Sequence, residues 1–140
     1  PKDLPTSKFY GTKSYPWIEK MVNWTCVYNV NDYKGKTALD KFNEAQEDAI
    51  KNGGGVVYFP AGEYTFSDFI DLKSNIVIRG AMTGTQVAKK GDKPGDLDPK
   101  TKLIFPDRLH YGFRNLDPKS ENIGVVNVYS DGGAIMFWPG

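Results

Sequence analysis

GGGVVYFPAGEYTF, residues 53–66, holds a helix stop, a strand, a corner and the start of another strand. Gly53 suits a helix end, because glycine reaches the left-handed backbone conformation at little cost. Val56 to Phe59 is a run of β-formers. Pro60-Ala61-Gly62 stops it as a turn with proline second and glycine fourth. Tyr64 and Phe66 then fall on alternate positions and so share one face of a strand. The order of elements excludes a phosphate-cradling loop: the glycines leave a helix and enter a strand, the reverse of a P-loop.

Upstream, residues 37–52 carry the clearest helical signal. Thr37 followed three residues later by Asp40 is a capping box, and the aspartate also suits the positive end of the helix. At about 100° per residue, Ala38, Leu39, Phe42, Ala45, Ala49 and Ile50 gather on one side with Gln46. Lys41, Glu44, Glu47, Asp48 and Lys51 take the other side. Before the helix, Val22, Trp24, Cys26, Tyr28 and Val30 alternate and predict a half-buried strand over 21–30, broken by turn residues 31–35. The first twenty residues have prolines and aromatics without a period, which predicts an extended packed arm.

Downstream, Phe69-Ile70-Asp71-Leu72 and Ile76-Val77-Ile78 form two more short apolar runs around the corner Lys73-Ser74-Asn75. Leu103-Ile104-Phe105 and Ile123 to Val128 repeat the pattern. Between them, Ala81 to Lys102 is polar and too long for an ordinary connection; it reads as a surface insertion or as the wall of a groove. Asn75 and Asn122 each precede an isoleucine, 47 positions apart, which predicts two turns of about 23 residues in a solenoid. An amphipathic helix over the first turn would cover its apolar interior.

Composition narrows the classes further. A chain of 140 residues with 39% hydrophobic residues is globular and one domain in size. Eighteen basic against seventeen acidic side chains give no field to attract nucleic acid or an anionic membrane. The single cysteine, Cys26, excludes an intrachain disulfide and reads as a small buried apolar residue. No apolar run approaches the roughly 20 residues of a membrane span. The start, PKDLPTSKFYG, lacks the plan of a signal peptide, consistent with a soluble mature or trimmed form. Asn23-Trp24-Thr25 matches a glycosylation acceptor but falls inside the expected strand.

The segment from Val27 to Gly80 resembles the N-terminal part of the pectate-lyase-like right-handed parallel β-helices. There a strand leads to a helix, then to Gly-Gly-Gly-x-Val-x-Phe-Pro-x-Gly-x-Tyr, then to the first coils. The turn Asp32 to Lys36 is shorter than the glycine-rich turn common in relatives, a departure that bears on how the chain enters the helix. The resemblance implies an all-β solenoid, with an arm and incoming strand over 1–36, then a capping helix and first coils over 37–140. It further implies a carbohydrate-active protein, the N-terminal portion of a secreted or periplasmic glycoside hydrolase or polysaccharide lyase. The alternative is a non-catalytic glycan-binding or structural module, such as a tailspike or adhesin segment.

Family catalytic groups sit on later coils, and no cluster of paired aspartates followed by Gly-His-Gly is present, so the catalytic residues stay unassigned. Inverting hydrolysis needs two carboxylates about 6.5–9.5 Å apart. Asp117, Glu121 and Asp131 are the late-chain candidates, each of which also fits a turn. Elimination beside a uronate needs a base and a cation, which Arg108, His110, Tyr111 or Arg114 could supply, although 108–114 also reads as a surface loop. Phe137 and Trp138 fit sugar stacking or a buried strand. Arg108, His110, Arg114, Asp131 and Trp138 are therefore the candidate substrate-binding residues. No cofactor is identifiable; calcium enters only if the reaction is a lyase's. The expected partners are a polysaccharide and whatever covers the apolar C-terminal end, either further coils or a second copy of the chain.

Overall fold

The computed structural model describes residues 20–81, 100–106, 112–133 and 135–137. Its helix, α1 (Ala38–Lys51), starts as the sequence requires: Thr37 Oγ1 accepts from Asp40 N at 3.0 Å and Asp40 Oδ2 accepts from Thr37 N at 3.1 Å. It ends in a Schellman turn, in which Gly53 N donates to Ile50 O and Gly54 N to Ala49 O, with Gly53 at φ 90°. Phe42, Ala45, Gln46 and Ala49 are buried. Ile50 departs from the expected face and is 45% exposed, because it sits about 80° around the helix from Phe42, at the margin of the apolar stripe.

The strands are β1 (Val27–Asn29), β2 (Gly55–Phe59), β3 (Gly62–Thr65), β4 (Ile70–Asp71), β5 (Ile76–Gly80), β6 (Thr101–Ile104), β7 (Phe113–Asn115), β8 (Gly124–Val126), β9 (Tyr129–Asp131) and β10 (Ile135–Phe137). Among the described residues they form three parallel sheets, ordered β1-β2-β5-β8, β3-β6-β9 and β4-β7-β10. From β2 onward the chain visits first, second and third sheet in strict rotation, an arrangement compatible with a parallel β-helix.

Burial explains why the strand sequences differ. The first sheet is covered on both faces, so β2 and β5 read as nearly continuous apolar runs. Tyr28, Val57 and Ile78 point into the interior, while Val27, Val56 and Val77 pack outward with Val22 and Trp24. Inside, Phe66 and Phe105 stack with ring centroids 5.1 Å apart, and Phe105 meets Phe113 edge-on at 5.2 Å. At the helix end of this interior, Phe42 stacks on Phe59 at 6.1 Å. Cys26 packs half-buried against the same core.

Two readings of the sequence are corrected here. The expected strand over 21–30 is only Val27–Asn29, because the chain turns just before it. Asn23 Oδ1 accepts from Thr25 N and Oγ1, and Cys26 N donates to Asn23 O. Val22 and Trp24 therefore lie on the opposite side of the first sheet from Tyr28, and Asn23 stands exposed in a turn, not inside a strand.

Second, the asparagines 47 positions apart mark one circuit, not two. Asn75 N donates to Glu121 O, and Val77 lies directly opposite Gly124. A plain circuit takes 21 residues, as from Val56 to Val77, or 22, as from Phe113 to Ile135. The intervening circuit is longer, and 18 of its extra residues fall where the chain leaves it at Ala81 and rejoins at Lys100, whose N–H donates to Ala81 O at 2.7 Å. The polar insertion is therefore shorter than expected at its far end, since Thr101 and Lys102 already belong to β6. Residues 82–99 lie outside the described residues.

The corners themselves stack. Gly54, Asn75 and Asn122 occupy successive levels with φ of 97°, 63° and 56°. Asn122 Nδ2 donates to Asn75 Oδ1 at 2.9 Å. A Cβ on Gly54 would run into the Asn75 carbonyl, so the first corner has to be glycine.

The helix end of the third sheet is closed by a side chain. Gln46 Nε2 donates to Asp71 O at 3.0 Å and Gln46 Oε1 accepts from Lys73 N at 3.2 Å. That is the pattern a parallel strand would present to Leu72. The helix thus covers part of the open backbone edge as well as the apolar interior.

Candidate functional site: a charged cleft on the third sheet

Alternation in Ile70-Asp71-Leu72 and Phe113-Arg114-Asn115 sends the middle residue of each outward while its neighbours stay buried. Because Asp71 and Arg114 are register partners on adjacent strands, their side chains meet. Arg114 Nε and NH2 bind the two oxygens of Asp71 as a fork, the NH2 contact being 3.2 Å. The guanidinium carbon also lies 3.4 Å from the centre of the Phe69 ring. Arg114 is therefore held rigidly, with a side chain 23% exposed beside an Asp71 that is 43% exposed.

This pair borders a cleft of about 390 Å³ at the corner between the third and first sheets. Lys73, Ser74, Asn115, Asp117 and Ser120 contribute its other polar groups. Asn115 is fixed from below by donating to Leu72 O at 2.8 Å and to Ser120 Oγ at 2.9 Å. Asp117 Oδ1 accepts from Lys119 N at 2.9 Å, which shapes the turn that forms the cleft's wall.

The chemistry these groups can perform is recognition. Arginine stays protonated, so Arg114 cannot act as a base. Asp71 has both oxygens engaged by Arg114 and would have to break that fork to serve as a general acid. What remains is an array in which Arg114 and Lys73 are balanced by Asp71 and Asp117 among amide and hydroxyl groups, suited to a hydroxyl-rich ligand whose charged groups can pair with Lys73.

The candidates from sequence are thus separated. Arg114 and Asp117 share the cleft, and Arg114 is on a strand, not the surface loop expected for 108–114. Asp131 stands on the second sheet, paired with Lys102 Nζ at 3.2 Å. That hydrogen bond, with the nearby charges of Asp131 and Glu63, raises the Lys102 ammonium above its usual range. Glu121 is exposed at the stacked corner, where its N–H donates to Ser74 Oγ at 3.2 Å. Arg108, His110, Tyr111 and Trp138 lie outside the described residues, as does the side chain of Phe137. Asp71 was not singled out from sequence, although its place between two apolar residues is the signal of an outward strand position.

Among the described residues no three His, Cys, Asp or Glu side chains assemble as a metal site requires, so no step is assigned to calcium or another cation. Nor is any helix among them long and apolar enough to cross a membrane.

The family described as rhamnogalacturonase A/epimerase, pectate lyase-like, matches residues 27–131, from β1 through β9. The chain belongs to this family. The chain is also similar to a protein named alginate lyase 7 from Azotobacter vinelandii, at 40% identity over 77 residues. That alignment covers 46% of this chain and 9% of the relative, so the chain spans a small part of that protein's length. No solved structure matches the chain.

Proposed function

We propose that the chain forms the opening coils of a right-handed parallel β-helix in a secreted or periplasmic polysaccharide-degrading enzyme. The family match over 27–131 is the observation that carries this reading. Residues 1–36 are the arm and incoming strand, and 37–140 the capping helix and first coils. The cleft beside Arg114 contacts the sugar chain, and the proton-transfer groups lie elsewhere in the protein. The relative's name points to elimination on a uronate polymer, and Lys73 at the cleft can pair with a carboxylate of such a chain beside the Asp71–Arg114 fork.

We place further coils, or a second copy of the chain, on the side of β8, β9 and β10. Ile135 on β10 is half exposed there, and Asn127 Nδ2 is buried with no hydrogen-bond partner among the described residues. Solution scattering from a compact isolated monomer would count against this placement.

The activity test is incubation of the full-length protein with alginate, pectin and neutral glycans. Ultraviolet-absorbing unsaturated products identify a lyase, and reducing ends without absorbance a hydrolase. Binding of glycans with release of neither overturns the enzyme reading in favour of a non-catalytic module.

A further inference from the structure

The second sheet presents an outer face that the cleft does not use. Its pleat places Glu63, Lys102 and Tyr129 in one row across the three strands, and Thr65, Ile104 and Asp131 in the next. With strands about 4.8 Å apart and alternate residues about 6.7 Å apart, the two rows cover a patch of about 10 Å by 7 Å. Tyr129 is 55% exposed although it stands on a regular strand. Lys102 Nζ lies 5.7 Å from the centre of its ring and 3.2 Å from Asp131 Oδ2. Beneath the first two strands, Leu103 is fully buried and Tyr64 packs against the core with its hydroxyl on Pro60 O, while Ser130, the corresponding residue of β9, is exposed.

We propose that this face is a second sugar-binding site, a ledge on which one pyranose ring lies against Tyr129 while its hydroxyls bond to the Lys102–Asp131 pair and to Glu63. A sugar ring offers the matching surfaces: C–H groups on one side for the aromatic ring, and hydroxyls around the rim that both donate and accept. Two carboxylates against one ammonium leave the ledge with an excess of negative charge, which disfavours polyphosphates and repels uronate carboxylates. The ligand that fits is therefore a neutral sugar. The ledge and the Arg114 cleft stand on different sheets and differ in charge, because Asp71 and Asp117 balance Arg114 and Lys73 in the cleft. The choice of a sugar as the ligand class rests on the carbohydrate reading above; the ledge does not require that the protein cleave what it binds.

The test is a backbone-amide NMR titration of the full-length protein with oligosaccharides of mannose, of mannuronic acid and of galacturonic acid. Mannose oligomers are expected to shift residues 63–65, 102–104 and 129–131. Tyr129→Ala weakens that binding about fivefold to tenfold, and Tyr129→Phe, which keeps the ring, binds as wild type. Both variants retain the wild-type melting temperature. Shifts confined to 71–74 and 114–120 overturn the ledge and leave the carbohydrate reading standing. No shift with any of the three sugars overturns both. Equal binding by Tyr129→Ala and wild type overturns the role of the ring, and the ledge with it.

Discussion

Asn122 donates from Nδ2 to Asn75 Oδ1 at 2.9 Å across two levels of the first sheet's corner, and both residues hold left-handed backbone conformations. Asparagine serves both needs, since it tolerates positive φ better than other non-glycine residues and carries donor and acceptor on one short side chain. Replacing Asn122 by alanine removes the hydrogen bond and keeps the backbone demand, at a cost of about 2 kcal/mol. Replacing it by glycine removes only the bond and costs about 1 kcal/mol. Urea denaturation measures both. Equal losses would mean that the backbone angle is unimportant.

Gln46 carries the junction between helix and third sheet. Gln46→Leu keeps the volume but strands Asp71 O and Lys73 N, with an expected loss of about 2 kcal/mol. Phe42→Asp places an unpaired carboxylate where the phenyl ring meets Phe59 and costs more than about 3 kcal/mol. A thermal melt of Phe42→Asp that overlays wild type would sink the capping role of α1.

Tyr33 makes stability fall in alkali. Burial, then the hydrogen bond to Asp48 Oδ2 at 2.6 Å and the charge behind it, raise the phenol well above its usual range. A raised native value means that the folded state holds the proton more tightly than the unfolded chain does. The contribution is complete below pH of about 10 and is lost as pH rises beyond it. Tyr33→Phe lowers stability by about 1 kcal/mol at neutral pH and makes the alkaline decline shallower. Tyr28 and Tyr64, also raised by burial, keep part of the slope. Denaturation midpoints at neutral pH and above pH 10 give the comparison.

The Asp71–Arg114 pair tests the cleft. A double-mutant cycle with alanine should give a coupling of about 1 kcal/mol, because the pair is partly solvated but forked and stacked on Phe69. Arg114→Lys keeps the charge yet fails to restore the coupling, since an ammonium has no planar fork. In the same variants, affinity for uronate oligosaccharides falls more than stability. The reverse ranking would make the pair structural only.

Local patterns carried the parts of the fold that local chemistry determines. The Thr37–Asp40 cap, the Gly53 stop, the buried face around Phe42 and the paired apolar runs at 56–59 and 76–78 were all readable. The bend at Asn23 was hidden, because a single side chain folding back on Thr25 leaves the alternation of Val22, Trp24 and Tyr28 unchanged. Asp71 and Arg114 are 43 positions apart, and what brings them together is the length of a circuit that contains an insertion. No local period encodes that length. The echo of Asn75 in Asn122 did contain it, once read as one level and not two.

The hydrogen bond from Lys100 N to Ala81 O has a consequence for how this architecture can change. It pins Ala81 and Lys100 together, so the number of residues between them does not enter the register of any described sheet. Loop-closure entropy grows by only about 0.6 kcal/mol per doubling of length. That point is a socket: chain of varied length and composition can be exchanged there without re-indexing a single strand pair, which makes it the place where relatives can diverge and where a designed recognition segment can be grafted.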